Sequence, residues 1–184
     1  HILDNLDRAI LRCYDVLKKG GKIVVAEGVP PTDDQEVVEW YTNMFKLKEK
    51  RRTFSIGILE SYLKKNGFKD IQTHVHVMKK FSINNWLDNS GISREKQKKI
   101  YSLHVNASKK VKDAYNMKII KNECFVRTVN LIVKGKKWLH SLEIDRGANL
   151  KNKKSNLGTI FITGISASGK TTLGKRLLND LIES

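Results

Sequence analysis

Arg12-Cys13-Tyr14-Asp15-Val16-Leu17-Lys18-Lys19-Gly20-Gly21-Lys22-Ile23-Val24-Val25-Ala26-Glu27 carries the reading of the fold. Its first six residues close an apolar stripe through Ile2, Leu3, Leu6, Ala9, Ile10, Cys13, Tyr14 and Leu17, which is the spacing of one helix face. Lys18-Lys19-Gly20-Gly21 then puts cations in a last turn and glycine beyond it, a helix-end pattern. Lys22 to Ala26 is a near-continuous apolar run, as expected of a buried parallel strand. Glu27 follows at the carboxyl end of that strand, where α/β sheets place ligands. It is a candidate site residue, either orienting a bound molecule or a neighbouring backbone group, or simply capping the loop Gly28-Val29-Pro30-Pro31.

Downstream, Asp33 to about Lys50 predicts a helix opened by acids and carrying Trp40, Tyr41, Met44, Phe45 and Leu47. Arg51-Arg52 sits in a loop, facing either an anionic ligand or solvent. Ser55 is expected to cap a third helix through Ile58, Leu59, Tyr62 and Leu63, closed by Asn66-Gly67. Ile71 to Met78 alternates as a strand, with His74 and His76 on one face as a pair of metal ligands without an evident third. Ser82 to Gly91 reads as a turn around Trp86 and Leu87. A lysine-rich helix starts at Ser93, breaks near Asn106-Ala107-Ser108 and ends at Tyr115; His104 on it reads as a solvated or core-edge histidine. Cys124 to Val133 is a strong strand, and the polar, basic stretch after it reads as a linker.

A second motif stands near the other end. Thr159 to Thr163 is a short apolar strand pattern, and Gly164-Ile165-Ser166-Ala167-Ser168-Gly169-Lys170-Thr171 matches G-x-x-x-x-G-K-[ST]. Leu173, Leu177, Leu178, Leu181 and Ile182 follow at helical spacing. Glycines let the backbone curl so that N–H groups converge on phosphate oxygens. The candidate phosphate-binding set is Gly164, Ser166, Ser168, Gly169, Lys170, Thr171 and Thr172, with Lys170 reaching the outer phosphates of ATP and Thr171 a Mg²⁺ ligand. The run resembles the start of an adenylylsulfate kinase, with Ile165-Ser166 and Thr172 fitting that pattern; Ala167 replaces its more usual glycine, and the uridine-kinase pattern is also similar. The resemblance implies ATP-dependent phosphorylation of a small molecule.

The order helix, Leu17-Lys18-Lys19-Gly20-Gly21-Lys22, strand, acid, helix, Asn66-Gly67-Phe68 and two closing strands resembles the C-terminal half of a class I S-adenosylmethionine-dependent methyltransferase. The family pattern before its fifth strand is like R-V-L-K-P-G-G; Asp15 and Lys19 stand here for the arginine and the proline. The resemblance implies an α/β fold, with strands five to seven of a Rossmann-like sheet and a helical insert from Trp86 to Tyr115 shaping an acceptor site. It makes His1, just after the fourth strand, a second cleft candidate beside Glu27. It also places most of the S-adenosylmethionine site before His1, so the chain is expected to be an internal piece of a longer protein and to bind that cofactor weakly on its own.

These readings divide the chain into a methyltransferase part at 1–138, a basic linker at 139–156 and the first βα unit of a P-loop NTPase at 157–184. The expected function is bifunctional: methyl transfer to a small metabolite and phosphorylation of a small molecule. The alternatives are a methyltransferase half that serves only as scaffold, or RNA as the methyl acceptor. The net charge of +16 invites a nucleic-acid partner, but the lysines are spread through every segment, so small-molecule substrates are expected instead. No stretch of 18 apolar residues occurs, and Cys13 and Cys124 are in no metal spacing; both read as buried, reduced thiols of a cytoplasmic protein.

Overall fold

The computed structural model describes residues 5–49, 52–55, 57–138 and 157–163. The elements run α1 (Leu6–Val16), β1 (Leu17–Val29), α2 (Gln35–Lys48), α3 (Ile58–Lys65), β2 (Phe68–Ser82), α4 (Ile83–Asp88), α5 (Arg94–Val105), α6 (Lys109–Ala114), β3 (Lys118–Ile120), β4 (Glu123–Lys137) and β5 (Leu157–Thr163). The class is α/β, as expected. The strands form one mixed sheet in the order β2-β4-β1-β5, with β3 paired to β4. β1 is parallel to β5 and antiparallel to β4, which is in turn antiparallel to β2.

Alternation along the strands gives the sheet two differently covered faces. Ile23, Val25 and Val29 of β1, Leu131 and Val133 of β4 and Ile160 of β5 bury against α1 and α3, whose Ile10, Cys13, Leu59 and Leu63 complete that core. At the upper end of the other face, Cys124 and Val126 of β4 pack with α2, α4, α5 and α6 in a second cluster around Tyr41, Phe45, Trp86, Ile100 and Val111. Lower on that face Phe161 is 70% exposed.

The helix end differs from its expected form. α1 stops at Val16 because Leu17 is already extended (φ −73°, ψ 136°) and fully buried. Lys18-Lys19-Gly20-Gly21 lies inside β1, not in a cap. Gly20 has φ +73°, and the β1–β5 register shifts between Leu17 and Lys22, so the glycines absorb a bulge. The cation at the end of α1 comes from far away: Lys137 Nζ donates to the Asp15 carbonyl at 3.3 Å and sits 4.8 Å from the Tyr14 ring centroid. Ser55 does not cap α3; Gly57, at φ +92°, takes that position without a side-chain bond. The stretch after Ser82 is a short helix capped by that serine, whose Oγ accepts from Asn85 N at 3.1 Å. β3 and its turn at Lys121-Asn122 (φ 47° and 64°) were not expected; two left-handed residues join β3 to β4 as a tight hairpin.

β5 is the strand that opens the P-loop motif. It lies in the same sheet as β1, β2 and β4, with Ile160 beside Ile23 and Thr163 beside Ala26. Residues 139–156, read as a linker, and 164–184, which hold the phosphate-binding set, lie outside the described residues.

The bulge generates a prediction. A Cβ on Gly21 would meet the Lys18 carbonyl at 2.8 Å and the Leu157 carbonyl at 3.1 Å, both backbone atoms that cannot swing aside. Gly21→Ala is expected to cost about 1–3 kcal/mol by crowding, read as a lowered urea midpoint. Gly158→Ala meets nothing nearer than the Lys18 Cε at 3.7 Å and is expected to leave the midpoint unchanged.

Candidate functional site

The second core cluster is a helical lid over the carboxyl end of β1, and local chemistry fixes each piece. Asp34 caps α2, its Oδ1 accepting from Glu36 N at 3.0 Å and Val37 N at 3.4 Å. Ser93 and Ser108 cap α5 and α6 in the same way. Lys110 of α6 reaches back to Asp34 at 3.2 Å and Glu36 at 3.6 Å, clasping α6 to the start of α2. That clasp is exposed and adds little stability, but it sets which helix ends meet. Hydrogen bonds tie the lid to the sheet. Tyr41 Oη donates to the Gly28 carbonyl at 2.9 Å, and the Arg127 side chain and backbone N–H donate to the Ala114 and Tyr115 carbonyls at 2.8 and 2.6 Å.

Between lid and sheet lies a cavity of 230 Å³. Its floor is the lid-side face of the strands: Ala26 and Gly28 of β1, His76 and Met78 of β2, and Thr128, Asn130 and Ile132 of β4. Its roof is Tyr41, Met44 and Phe45 of α2, Trp86 of α4, His104 of α5 and Tyr115. No Asp, Glu, Lys or Arg among the described residues lines it.

One of the polar residues that line it, with His76, Thr128 and Asn130, is His104. The side chain is only 2% exposed. Nδ1 lies 2.7 Å from the Ile100 carbonyl, one turn back on the same helix. A carbonyl only accepts, so Nδ1 carries the proton and Nε2 is left as a lone-pair acceptor. Nε2 has no hydrogen-bond partner among the described residues. The Trp40 ring stands edge-on to the imidazole at 5.0 Å. Burial in this apolar setting pushes the His104 pKa down to about 4, against a smaller upward pull from the Ile100 carbonyl. The ring is therefore neutral at physiological pH. The expectation of a solvated or core-edge histidine is corrected to a buried one. The signal was in the sequence: Ile100, His104, Ala107 and Val111 follow at i, i+4, i+7 and i+11, which puts His104 on the apolar face.

Glu27 is placed differently. It is 3% exposed and pairs with Leu131. It falls on the face of Ile23 and Val25 and does not line the cavity. Its Oε1 accepts from the Gly28 N–H at 3.2 Å, which is the backbone-orienting role of those open to it. His1, Gly164, Ser166, Ser168, Gly169, Lys170, Thr171 and Thr172 lie outside the described residues, as does Arg51. His74 and His76 sit on edge strand β2, and no group of three metal-ligating side chains gathers among the described residues. Cys13 and Cys124 are free and buried, and desolvation pushes both thiols up to about 11, which keeps them protonated. No helix among the described residues is long and apolar enough to cross a membrane.

The neutral histidine links to stability. Between its ordinary value of 6.5 and its folded value of about 4, the unfolded chain binds a proton that the folded chain refuses. Stability from this group is complete above pH 6.5 and is lost as pH falls towards 4, by about 3 kcal/mol in all. Urea midpoints are expected to fall between pH 7 and pH 4.5, and His104→Gln is expected to flatten that slope. An unchanged slope in the variant would remove His104 from the pH response.

No protein-family model and no curated protein matches the sequence. Solved structures share its fold. A methyltransferase by assignment from Bacillus halodurans C-125 superposes with a TM-score of 0.58 at 16% identity, covering 71% of this chain and 62% of its own. The YcgJ protein from Bacillus subtilis superposes with a TM-score of 0.63 at 17% identity, covering 76% of this chain and 61% of its own. The chain thus spans about three fifths of the length of each, and it has a methyltransferase-like α/β fold.

Proposed function

We propose that the described part of this chain forms the acceptor-binding portion of an S-adenosylmethionine-dependent methyltransferase that acts on a small metabolite. The cavity carries the proposal: an apolar space under a helical lid, at the carboxyl end of β1, in a methyltransferase-like fold. Methyl transfer from a sulfonium is an in-line displacement, so the protein's main task is alignment and exclusion of water. The lid rings and methionines exclude water, and His104 Nε2 offers an acceptor to one polar hydrogen of a bound molecule. The cavity itself does not fit the cofactor. S-adenosylmethionine brings a sulfonium, an amino group and a carboxylate, and among the described residues the walls hold no Asp, Glu, Lys or Arg to meet them. The described residues fit the acceptor, and no step through the cofactor is derived from them.

The P-loop segment is the second half of the proposal. Lys170 and Thr171 would hold ATP and Mg²⁺ for phosphoryl transfer to a small molecule, on the strength of the motif at 164–171. A cytoplasmic setting belongs to the same reading, supported by the two buried thiols. The place of β5 favours a second reading. A strand that pairs in parallel with β1 can complete this sheet instead of opening a separate domain, and in that reading the P-loop segment does not begin a kinase of its own.

Labelled methyl donor, offered to the full-length protein with separate small-metabolite and RNA pools, tests the proposal. Label is expected in the small-molecule pool. Label in RNA alone overturns the choice of acceptor, and no label in either pool leaves the scaffold reading. Lys170→Ala is expected to abolish ATP turnover; unchanged turnover would take the P-loop out of the mechanism.

A further inference from the structure

We infer that the lid cavity is a binding site for a neutral, flat aromatic molecule bearing one O–H or N–H donor, of the phenol or indole type, with His104 Nε2 receiving that hydrogen. It rests on the proposed function only for the ligand's role as methyl acceptor; binding is a property of the cavity alone.

Three observations converge on this class. The first is shape and surface. Tyr41, Phe45, Phe81 and Trp86 present rings, and Met44 and Met78 present polarizable sulfur, a lining that suits a flat ring at edge and face. A dry cavity of about 150 Å³ holds one benzene, so 230 Å³ has room for one or two fused rings. The second is charge. With no Asp, Glu, Lys or Arg among the described residues of its walls, the cavity would strip water from a charged ligand and return no counter-charge. The third is the histidine. Its Nδ1 proton is committed to the Ile100 carbonyl at 2.7 Å, so Nε2 accepts and does not donate. Nε2 is paired with none of the described residues, and a ligand hydroxyl or ring N–H can donate to it, whereas an ether or a hydrocarbon cannot. The neighbouring Trp40 ring packs against the imidazole at 5.0 Å with the two ring planes nearly perpendicular.

The test compares 4-methylphenol with 4-methylanisole, which has the same ring but no donor, by calorimetry on the full chain without any methyl donor. The phenol is expected to bind about tenfold more tightly. His104→Phe is expected to keep the anisole within about twofold while removing the phenol's advantage. Equal affinities in the unaltered protein, or an advantage that survives in the variant, would overturn the inference. Should the variant fail to fold, the imidazole ¹⁵N spectrum of the unaltered protein decides. The His104 Nε2 resonance is expected to move with the phenol and stay with the anisole; a resonance that ignores the phenol overturns the site. Methyl transfer can fail while this binding stands, and binding can fail while methyl transfer to some other acceptor is found, so the two proposals fall separately.

Discussion

β4 is the strand on which the rest depends. It is hydrogen-bonded to β1, β2 and β3, and its alternate side chains belong to different cores. Leu131 and Val133 face α1 and α3, while Cys124 and Val126 face the lid. A one-residue slip would exchange the two sets and put lid residues against α1. The register therefore has to be held at both ends. At one end, Lys137 is anchored to the end of α1 and Tyr14 donates to the Trp138 carbonyl at 2.6 Å. At the other, the Lys121-Asn122 turn and Arg127 lock the strand to β3 and α6.

Local patterns in the sequence were enough for the elements they govern. The stripe from Leu6 to Tyr14, the acid-capped α2, the α5–α6 break and the alternating core of β4 all follow from spacing and capping chemistry, and the structure has them. What was not legible depends on partners remote in sequence. The pair Gly20-Gly21 is a normal helix terminator, and only the arrival of Leu157 beside Leu17 turns it into a strand bulge. Nothing local says that Lys137 would supply the cation at the end of α1. Strand ends were also underestimated: β2 and β4 run several residues beyond their alternating cores, because a long neighbour goes on offering hydrogen bonds where the apolar pattern has stopped.

The candidate site was legible in a similar, partial way. The resemblance of Arg12 to Glu27 and of Asn66-Gly67-Phe68 led to the right fold, and the insert from Trp86 to Tyr115 does form most of the lid. Glu27 drew notice for its place at a strand end, yet strand parity turns it away from the cavity. His104 was passed over because a lysine-rich helix reads as solvated. Its lysines and its one buried histidine are on different faces, and the periodicity through Ile100 and Val111 is weak against so much charge.

Among the described strands, β4 is made well after its partner β1. Lys22 must wait for Lys136, and Val29 for Val129. While the chain is being synthesised, α1 and β1 emerge before β4, so a long apolar strand waits for its antiparallel partner. Such a strand presents unpaired backbone groups and invites pairing with other nascent chains. Closure across so many residues also carries a large loop entropy, which makes sheets of this kind slow to assemble. A chain built on this plan therefore leaves β1 open to wrong partners for as long as β4 has not been made.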